Sequence, residues 1–141
     1  MTDVRIDVAS PNEHGSLAEL YLQWGYDGGI ADSDVVYVAR AEKQPIGLVR
    51  RTRDFGALML RGMYVSPDHR GRRIGSALLT RFVADLPDTP CFCIPFAHLT
   101  GFYGAHGFAV VDYAEASAAL RERLDVYRAE GHDVVLMRRP P

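Results

Sequence analysis

Residues that would commit a chain to a special environment are scarce here. Cysteine occurs only at Cys91 and Cys93, too few for a disulfide framework. Two residues apart on a strand, the two thiols point to one face, which does not favour a mutual bridge, so the expected compartment is the reducing cytoplasm. A metal set drawn from Cys91, Cys93, His98 and His106 matches no common zinc spacing. Buried thiols on an apolar strand are the simpler reading, and no metal is expected. No apolar run approaches the length that spans a bilayer. The first eight residues carry acids, with neither a basic n-region nor an apolar h-region, so neither a membrane partner nor a secretory leader is expected. An excess of positive charge is also missing. A formal net charge of −2 argues against a general nucleic-acid binder, and the short basic run His69 to Arg73 lacks the interleaved aromatics of a strand-binding groove. Repeats, linkers and low-complexity tracts are absent, and the length of 141 residues fits one domain with one core.

What is present is an ordered series of short elements. Asp3 to Val8 alternates apolar and charged residues, as a half-buried strand does. Ser10-Pro11-Asn12-Glu13 is a helix-start pattern, and the helix it opens carries Leu17, Leu20 and Tyr21. Residues 26–33 form a loop. Val35 to Ala41 and Ile46 to Arg51 are strands joined by the turn Glu42 to Pro45. After the turn Arg53 to Gly56, Ala57 to Val65 is a longer, more apolar strand, expected at the centre of the sheet. A helix from about Gly75 places Leu78, Leu79, Phe82, Val83 and Leu86 on one stripe. Cys91 to Ile94 is a strand, and His98 to His106 a short helix closed by Gly107. Phe108 to Val111 is a strand, Glu115 to Glu130 an amphipathic helix, and Val134 to Met137 the last strand, with Arg138 to Pro141 as a tail. Early strands joined by short turns, followed by strand–helix alternation, predict a mixed α/β fold with helices flanking the sheet.

The most informative segment is Met63-Tyr-Val-Ser-Pro-Asp-His-Arg-Gly-Arg-Arg-Ile-Gly-Ser-Ala-Leu-Leu79. A strand stops at Pro67, a loop rich in Arg and Gly follows, and a helix begins. Such a loop turns several backbone N–H groups toward one point at a helix N-terminus, which attracts anions and phosphates in particular. Arg70, Arg72 and Arg73 strengthen that reading. The segment resembles the acetyl-CoA loop of the GNAT superfamily of N-acetyltransferases, whose Arg/Gln-x-x-Gly-x-Gly/Ala pattern falls on Arg70, Gly71, Arg72, Arg73, Ile74 and Gly75. Phe102-Tyr-Gly-Ala-His-Gly-Phe108 is similar to a second motif of that family, Phe/Leu-Tyr-x-x-x-Gly-Phe, at a similar separation. The resemblance implies a GNAT-type, mostly antiparallel α/β (α+β) sheet flanked by helices, over nearly the whole chain. It implies that backbone groups of Met63 and Val65, on either side of Tyr64, hydrogen-bond the pantetheine arm as an added strand. N–H groups from Gly71 to Ser76 would hold the pyrophosphate, with acetyl-CoA as co-substrate. It also implies Tyr103 as the general acid that protonates the departing CoA sulfur; the other reading of Tyr103 is a core aromatic. Dimers are common in the family, so a homodimer is an open expectation.

Three positions depart from the family pattern. Arg73 stands where the loop's first glycine is expected, and a side chain is acceptable there only if φ stays negative. Phe96 and Cys91 stand where some members carry an asparagine and a general-base glutamate. Without a strong base, a lysine-type amine is neutral in only about one molecule in a few thousand at pH 7, whereas an α-amine is neutral in roughly one in ten. The expected acceptor is therefore an α-amino or other low-pKa amine of a small molecule or peptide. A base recruited through water, with His98 as candidate, would relax that expectation; the simpler and preferred reading of His98 is a plain helix-start residue. Trp24 and Tyr26, beside Asp27, suit an amine-bearing acceptor and equally suit packing over a loop. The helix from Glu115 reads as a cover for the acceptor site, a dimer surface or a solvated charged face. The alternative function is a non-catalytic acyl-CoA-binding sensor.

Overall fold

The computed structural model describes residues 3–141. In chain order its elements are β1 (Val4–Val8), α1 (His14–Gln23), β2 (Val35–Ala41), β3 (Gln44–Asp54), β4 (Ala57–Val65), α2 (Ile74–Ala84), β5 (Cys91–Cys93), α3 (Thr100–Gly104), β6 (Ala109–Val110), α4 (Ala118–Ala129) and β7 (Met137–Arg139). The strands form a seven-stranded sheet in the order β1-β2-β3-β4-β5-β7-β6. Pairing is antiparallel for β1–β2, β2–β3, β5–β7 and β6–β7 and parallel for β4–β5. A parallel pair needs a long crossover, and α2 supplies it. This is the mixed architecture that the element pattern predicts and the mostly antiparallel sheet that the family resemblance implies, with β4 in the middle. Among the described residues, no helix is long and apolar enough to cross a membrane.

The chain divides into two compact units. The first holds residues up to Thr52 together with Leu60–Asp85. On one face of its strands, Val36, Val38 and Leu48 pack with Ala9 and with Leu17 and Tyr21 of α1. On the other face Tyr37 meets Phe82 of α2 edge-on at 5.7 Å. The β2–β3 turn is made by Glu42 and Lys43, both left-handed (φ 52° and 71°), a two-residue hairpin whose twist suits the flanking strands. β3 begins two residues before its expected start, because Gln44 and Pro45 already pair with Ala41 and Arg40 across a register shift. β1 forms where expected, with its apolar face only partly covered. Val4 and Val8 are 40% and 44% exposed, since β1 is an edge strand tied by its backbone ladder and by the Arg40–Asp7 ion pair.

The second unit holds Arg53–Met59 and Leu86–Pro141. Here β7 inserts between β5 and β6, pairing Cys93 with Met137 and Val110 with Met137. The last strand lies three residues later than its expected start at Val134, so Arg138 and Arg139 belong to the strand and not to a tail. The reason is packing. Val134 and Leu136 are buried against Leu120 and Leu124 of α4, and Val134 makes only an isolated bridge to Phe96. The expected helix from Glu115 is also shortened. Tyr113–Glu115 is a separate 3-10 turn, and the Ser117 hydroxyl accepts the Leu120 N–H at 3.2 Å, a cap that starts α4 afresh. The polar face of α4 is engaged, with Arg123 lying 4.7 Å from the Phe55 ring centre and Asp125 accepting from the Tyr113 hydroxyl.

One residue inside β4 breaks the regular strand. Gly62 has φ 65°, and a left-handed glycine within a strand disrupts the pleat and re-aims the residues that follow. A β-carbon there would sit 2.6 Å from the Tyr21 hydroxyl and 3.0 Å from Arg50 Nε. Gly62→Ala is therefore expected to cost roughly 1–3 kcal/mol in backbone strain alone, with the steric conflict added. Urea denaturation of the variant checks this; an unchanged midpoint would contradict it.

Candidate functional site

The anion-attracting loop is built in steps. At the end of β4 the Ser66 N–H donates to Ile46 O at 2.8 Å, after which Pro67–His69 makes a 3-10 turn. Gly71 (φ 81°) and Arg73 (φ 60°) are both left-handed, and α2 starts at the next residue, Ile74. Arg73 therefore adopts the glycine-like conformation itself, and the expected negative φ is corrected. The geometry of the loop is kept although the glycine is not, at a cost of about 1–2 kcal/mol for a left-handed side-chain-bearing residue.

Close packing anchors the helix behind this loop. Ile74 and Leu78 are buried, and a β-carbon on Gly47 of β3 would lie 3.0 Å from Leu78 Cδ1 and 3.3 Å from Ile74 Cγ2. The missing side chain at Gly47 is what lets the first turn of α2 approach the sheet. Ala77 N donates to Arg73 O at 3.1 Å, so the N–H groups of Ile74 and Gly75 precede the helix's own bonding pattern. They point out of a helix N-terminus flanked by the exposed Arg70, Arg72 and Arg73, a setting of positive potential.

Arg70 turns back toward β4. Its Nε donates to Val65 O at 3.2 Å, and its guanidinium lies 5.0 Å from the Tyr64 ring centre. The Val65 carbonyl expected to meet a pantetheine arm thus already accepts one hydrogen bond. Tyr64 stacks on Trp24 at 5.8 Å and 12° and donates its hydroxyl proton to Trp24 O. The structure thereby joins Trp24, expected on the acceptor side, to the middle residue of the Met63–Val65 segment. Tyr26 behaves differently. Its hydroxyl accepts from Arg50 Nη2 at 2.9 Å, and its ring lies 4.6 Å from that of Tyr21, so it is turned toward a buried polar cluster.

Tyr103, in the second unit, is 5% exposed. Phe102 and Phe108 meet its ring edge-on at 5.0 Å and 6.1 Å. Burial pushes its phenol well above the usual tyrosine range, and the neighbouring Cys93 adds to this. Cys91 and Cys93 are both buried, and burial likewise raises the Cys93 thiol, with Cys91 contributing. His98 is exposed and stacks on Phe96 at 5.9 Å.

The sequence reading did not single out Arg50, Asp34 or Gly62. Two signals for them exist in the sequence: an arginine closing the apolar run Ile46 to Val49, and a glycine inside the strand Ala57 to Val65, each a break in an otherwise consistent pattern.

The family model of the acetyltransferase (GNAT) domain matches residues 32–110. The chain belongs to the GNAT acetyltransferase family. Among curated proteins, no sequence matches it. Solved structures share its fold at low identity. N-acetylglutamate synthase from Neisseria gonorrhoeae, complexed with coenzyme A and N-acetyl-glutamate, aligns at TM-score 0.70 and 15% identity over 99% of this chain. The chain spans only 35% of the length of that synthase. Rv2747 from Mycobacterium tuberculosis, in complex with CoA, aligns at TM-score 0.70 and 17% identity over 97% of this chain and 99% of its own. An acyl-CoA N-acyltransferase from Pseudomonas aeruginosa aligns at 0.68 and 18%, covering 99% of each chain. The GNAT assignment covers the loop from Met63 to Ser76 and the motif from Phe102 to Phe108, both inside the matched span.

In this GNAT domain the substitution Arg73→Gly is expected to raise stability by roughly 0.5–1 kcal/mol, the relieved left-handed strain less the added freedom of glycine in the unfolded chain. Thermal or urea melts read it directly. A lower melting point would show that Arg73 makes contacts worth more than its strain.

Proposed function

We propose that this GNAT domain transfers an acetyl group from acetyl-CoA to the amine of a small molecule or peptide, by direct attack in a ternary complex. The observation that carries the reading is the strand–loop–helix segment from Met63 to Ser76: paired left-handed residues, a helix N-terminus and three exposed arginines at one place. In this reading the N–H groups from Gly71 to Ser76 hold the pyrophosphate and the arginines attract it. Met63 and Val65 meet the pantetheine arm through their backbone, with Tyr64 and Trp24 stacked behind them. Val65 O has a second lone pair and can accept from the arm while Arg70 stays in place, or Arg70 can give way. Trp24 and Tyr26 lie on the acceptor side, with Tyr26 contributing its ring, since its hydroxyl is held by Arg50.

The chemical step needs one proton donor. The acceptor's neutral amine attacks the thioester carbonyl carbon, the carbon–sulfur bond breaks, and the sulfur leaves with the electron pair. Tyr103 donates its proton to that sulfur, the attacking nitrogen, cationic once bonded to carbon, releases one proton to solvent as the amide forms, and a solvent proton restores the phenol. Burial keeps the phenol protonated throughout the neutral range, so the proton is in place when sulfur departs, and the same shift makes it a weaker acid. The acceptor amine must arrive neutral or lose its proton on binding, which favours an α-amine over a lysine-type amine. The CoA complexes of N. gonorrhoeae N-acetylglutamate synthase and Rv2747 are compatible with an amino-acid-sized acceptor.

Tyr103→Phe decides the role of the phenol. Turnover should fall by about 10²–10⁴-fold while CoA affinity measured by calorimetry stays unchanged. Undiminished turnover would make Tyr103 a core aromatic only. Turnover against pH should rise as the acceptor amine loses its proton. It should show no descending limb below about pH 10 from Tyr103, since the shift raises the phenol above its ordinary value. A descending limb near pH 8 that survives in Tyr103→Phe would belong to another group, and one that disappears would contradict the burial-raised phenol while keeping Tyr103 as the acid. Acetyl-CoA consumption against amino acids, polyamines, aminoglycosides and peptides tests the acceptor class. Efficient use of polyamines at neutral pH would overturn the low-pKa preference. Binding of acetyl-CoA with no acetylation anywhere in the panel would favour the sensor reading.

A further inference from the structure

Arg50 of β3 is the most deeply buried cation described, 3% exposed, and it lies within the first unit. Its Nη1 donates to Asp34 Oδ2 at 2.9 Å, and the Asp34 side chain is itself 6% exposed. Its Nη2 donates to the Tyr26 hydroxyl at 2.9 Å. The guanidinium carbon lies 5.8 Å and 5.9 Å from the ring centres of Tyr21 and Tyr26. Its third donor, Nε, is buried with no hydrogen-bond partner and faces the space that a side chain on Gly62 would occupy. Tyr21 closes the cluster, its hydroxyl donating to Gly62 O at 2.7 Å. Asp34 extends it, accepting the Ala31 N–H at 2.9 Å. One cation thus joins α1, the loop 24–34, β3 and the left-handed break in β4.

Stability alone is a poor reason for such an arrangement. Well-packed apolar residues of similar volume commonly do as well as a buried ion pair or better. What a rigid, always-charged fork adds is geometry. Here the cluster reaches Gly62, the residue immediately before Met63–Val65, through the Tyr21 hydroxyl on its carbonyl and through Arg50 Nε beside the place a β-carbon on it would take. The register and facing of a strand segment follow from a break at its start.

We propose that Arg50, with Asp34 and Tyr21, is a positioning residue for the cofactor strand. It holds Gly62 left-handed so that the Met63–Val65 backbone presents its hydrogen-bonding edge to the pantetheine arm, and it ties the acceptor-side loop 24–34 to that same edge. The proposal rests on the reading that Met63–Val65 receive CoA.

The test titrates CoA by calorimetry into the wild type, Arg50→Lys, and the double variant Arg50→Met with Asp34→Leu, recording a melting temperature for each. The double variant removes both charges together and leaves neither stranded, so it should melt at or near the wild-type temperature. Both variants should bind CoA at least roughly tenfold more weakly. The slowing of amide exchange at Met63–Val65 that CoA produces in the wild type should be lost in both. A purely structural role would move the melting temperature without moving CoA affinity. A folded variant of either kind that binds CoA like the wild type overturns the proposal. Failure of both variants to fold also overturns it, by making the pair structural. A wild type that does not bind CoA at all overturns instead the functional reading beneath it.

Discussion

A guanidinium does not lose its proton in a protein interior, so a buried arginine must be given partners or its burial fails. Arg50 meets that demand at Nη1 and Nη2 with Asp34 and Tyr26 and over the faces of two aromatic rings, leaving Nε unbonded, and Asp34 and Tyr26 come from a loop that no backbone ladder holds. The loop between α1 and β2 has few apolar residues to bury. Its conformation comes from Tyr26, packed against Tyr21 and covered by Gly28, and from Asp34, bonded to Ala31. The loop is therefore ordered both by apolar packing of Trp24, Tyr26 and Ile30 on the core and by polar bonds to a cation that belongs to the sheet.

The same residue type does opposite work a short distance along the chain. Lys43 is the single lysine; the other basic side chains are arginine. Arg70, Arg72 and Arg73 are exposed, where charge in high dielectric contributes attraction and orientation more than stability. Arg50 is enclosed, where the fork contributes shape. Lysine could supply the first with little loss, being a compact charge. It could not bond Asp34 and Tyr26 in one plane while lying against two rings.

The parts of the fold that local chemistry dictates were legible in the sequence. β4, the helix after the loop, the turn at residues 53–56 and the short helix closed by Gly107 all follow from periodicity and from glycine and proline placement. The parts that tertiary packing dictates were not. The last strand slides to Met137–Arg139 because Val134 and Leu136 are claimed by α4, and an apolar run does not announce which of its residues will join a ladder. α4 starts late because a serine inside an amphipathic pattern can serve either as a helix residue or as a cap. β1 keeps its alternation but only part of its burial, since alternation cannot reveal how much covers the apolar face. Within the candidate site, the loop pattern and Tyr103 were readable as motifs. The left-handed Arg73 was not, because rules of residue preference assign that conformation to glycine.

That last case bears on how the loop works. Retaining arginine at a left-handed position costs free energy in every folded molecule, and nothing in the local backbone asks for a side chain there. Packing against β3 is carried by Ile74 and Leu78, and the first intrahelical bond is made by backbone atoms of Arg73 and Ala77. What remains for the side chain is its charge, placed one residue before the helix N-terminus, where the dipole and the amide groups already favour an anion. A third arginine there adds attraction without changing the cradle's shape, since that shape is set by φ at Gly71 and Arg73 and by the approach of α2 to Gly47. The cradle's shape is thus backbone-determined and its attraction side-chain-determined. A substitution at Arg73 that keeps the left-handed φ should move the second property and leave the first in place.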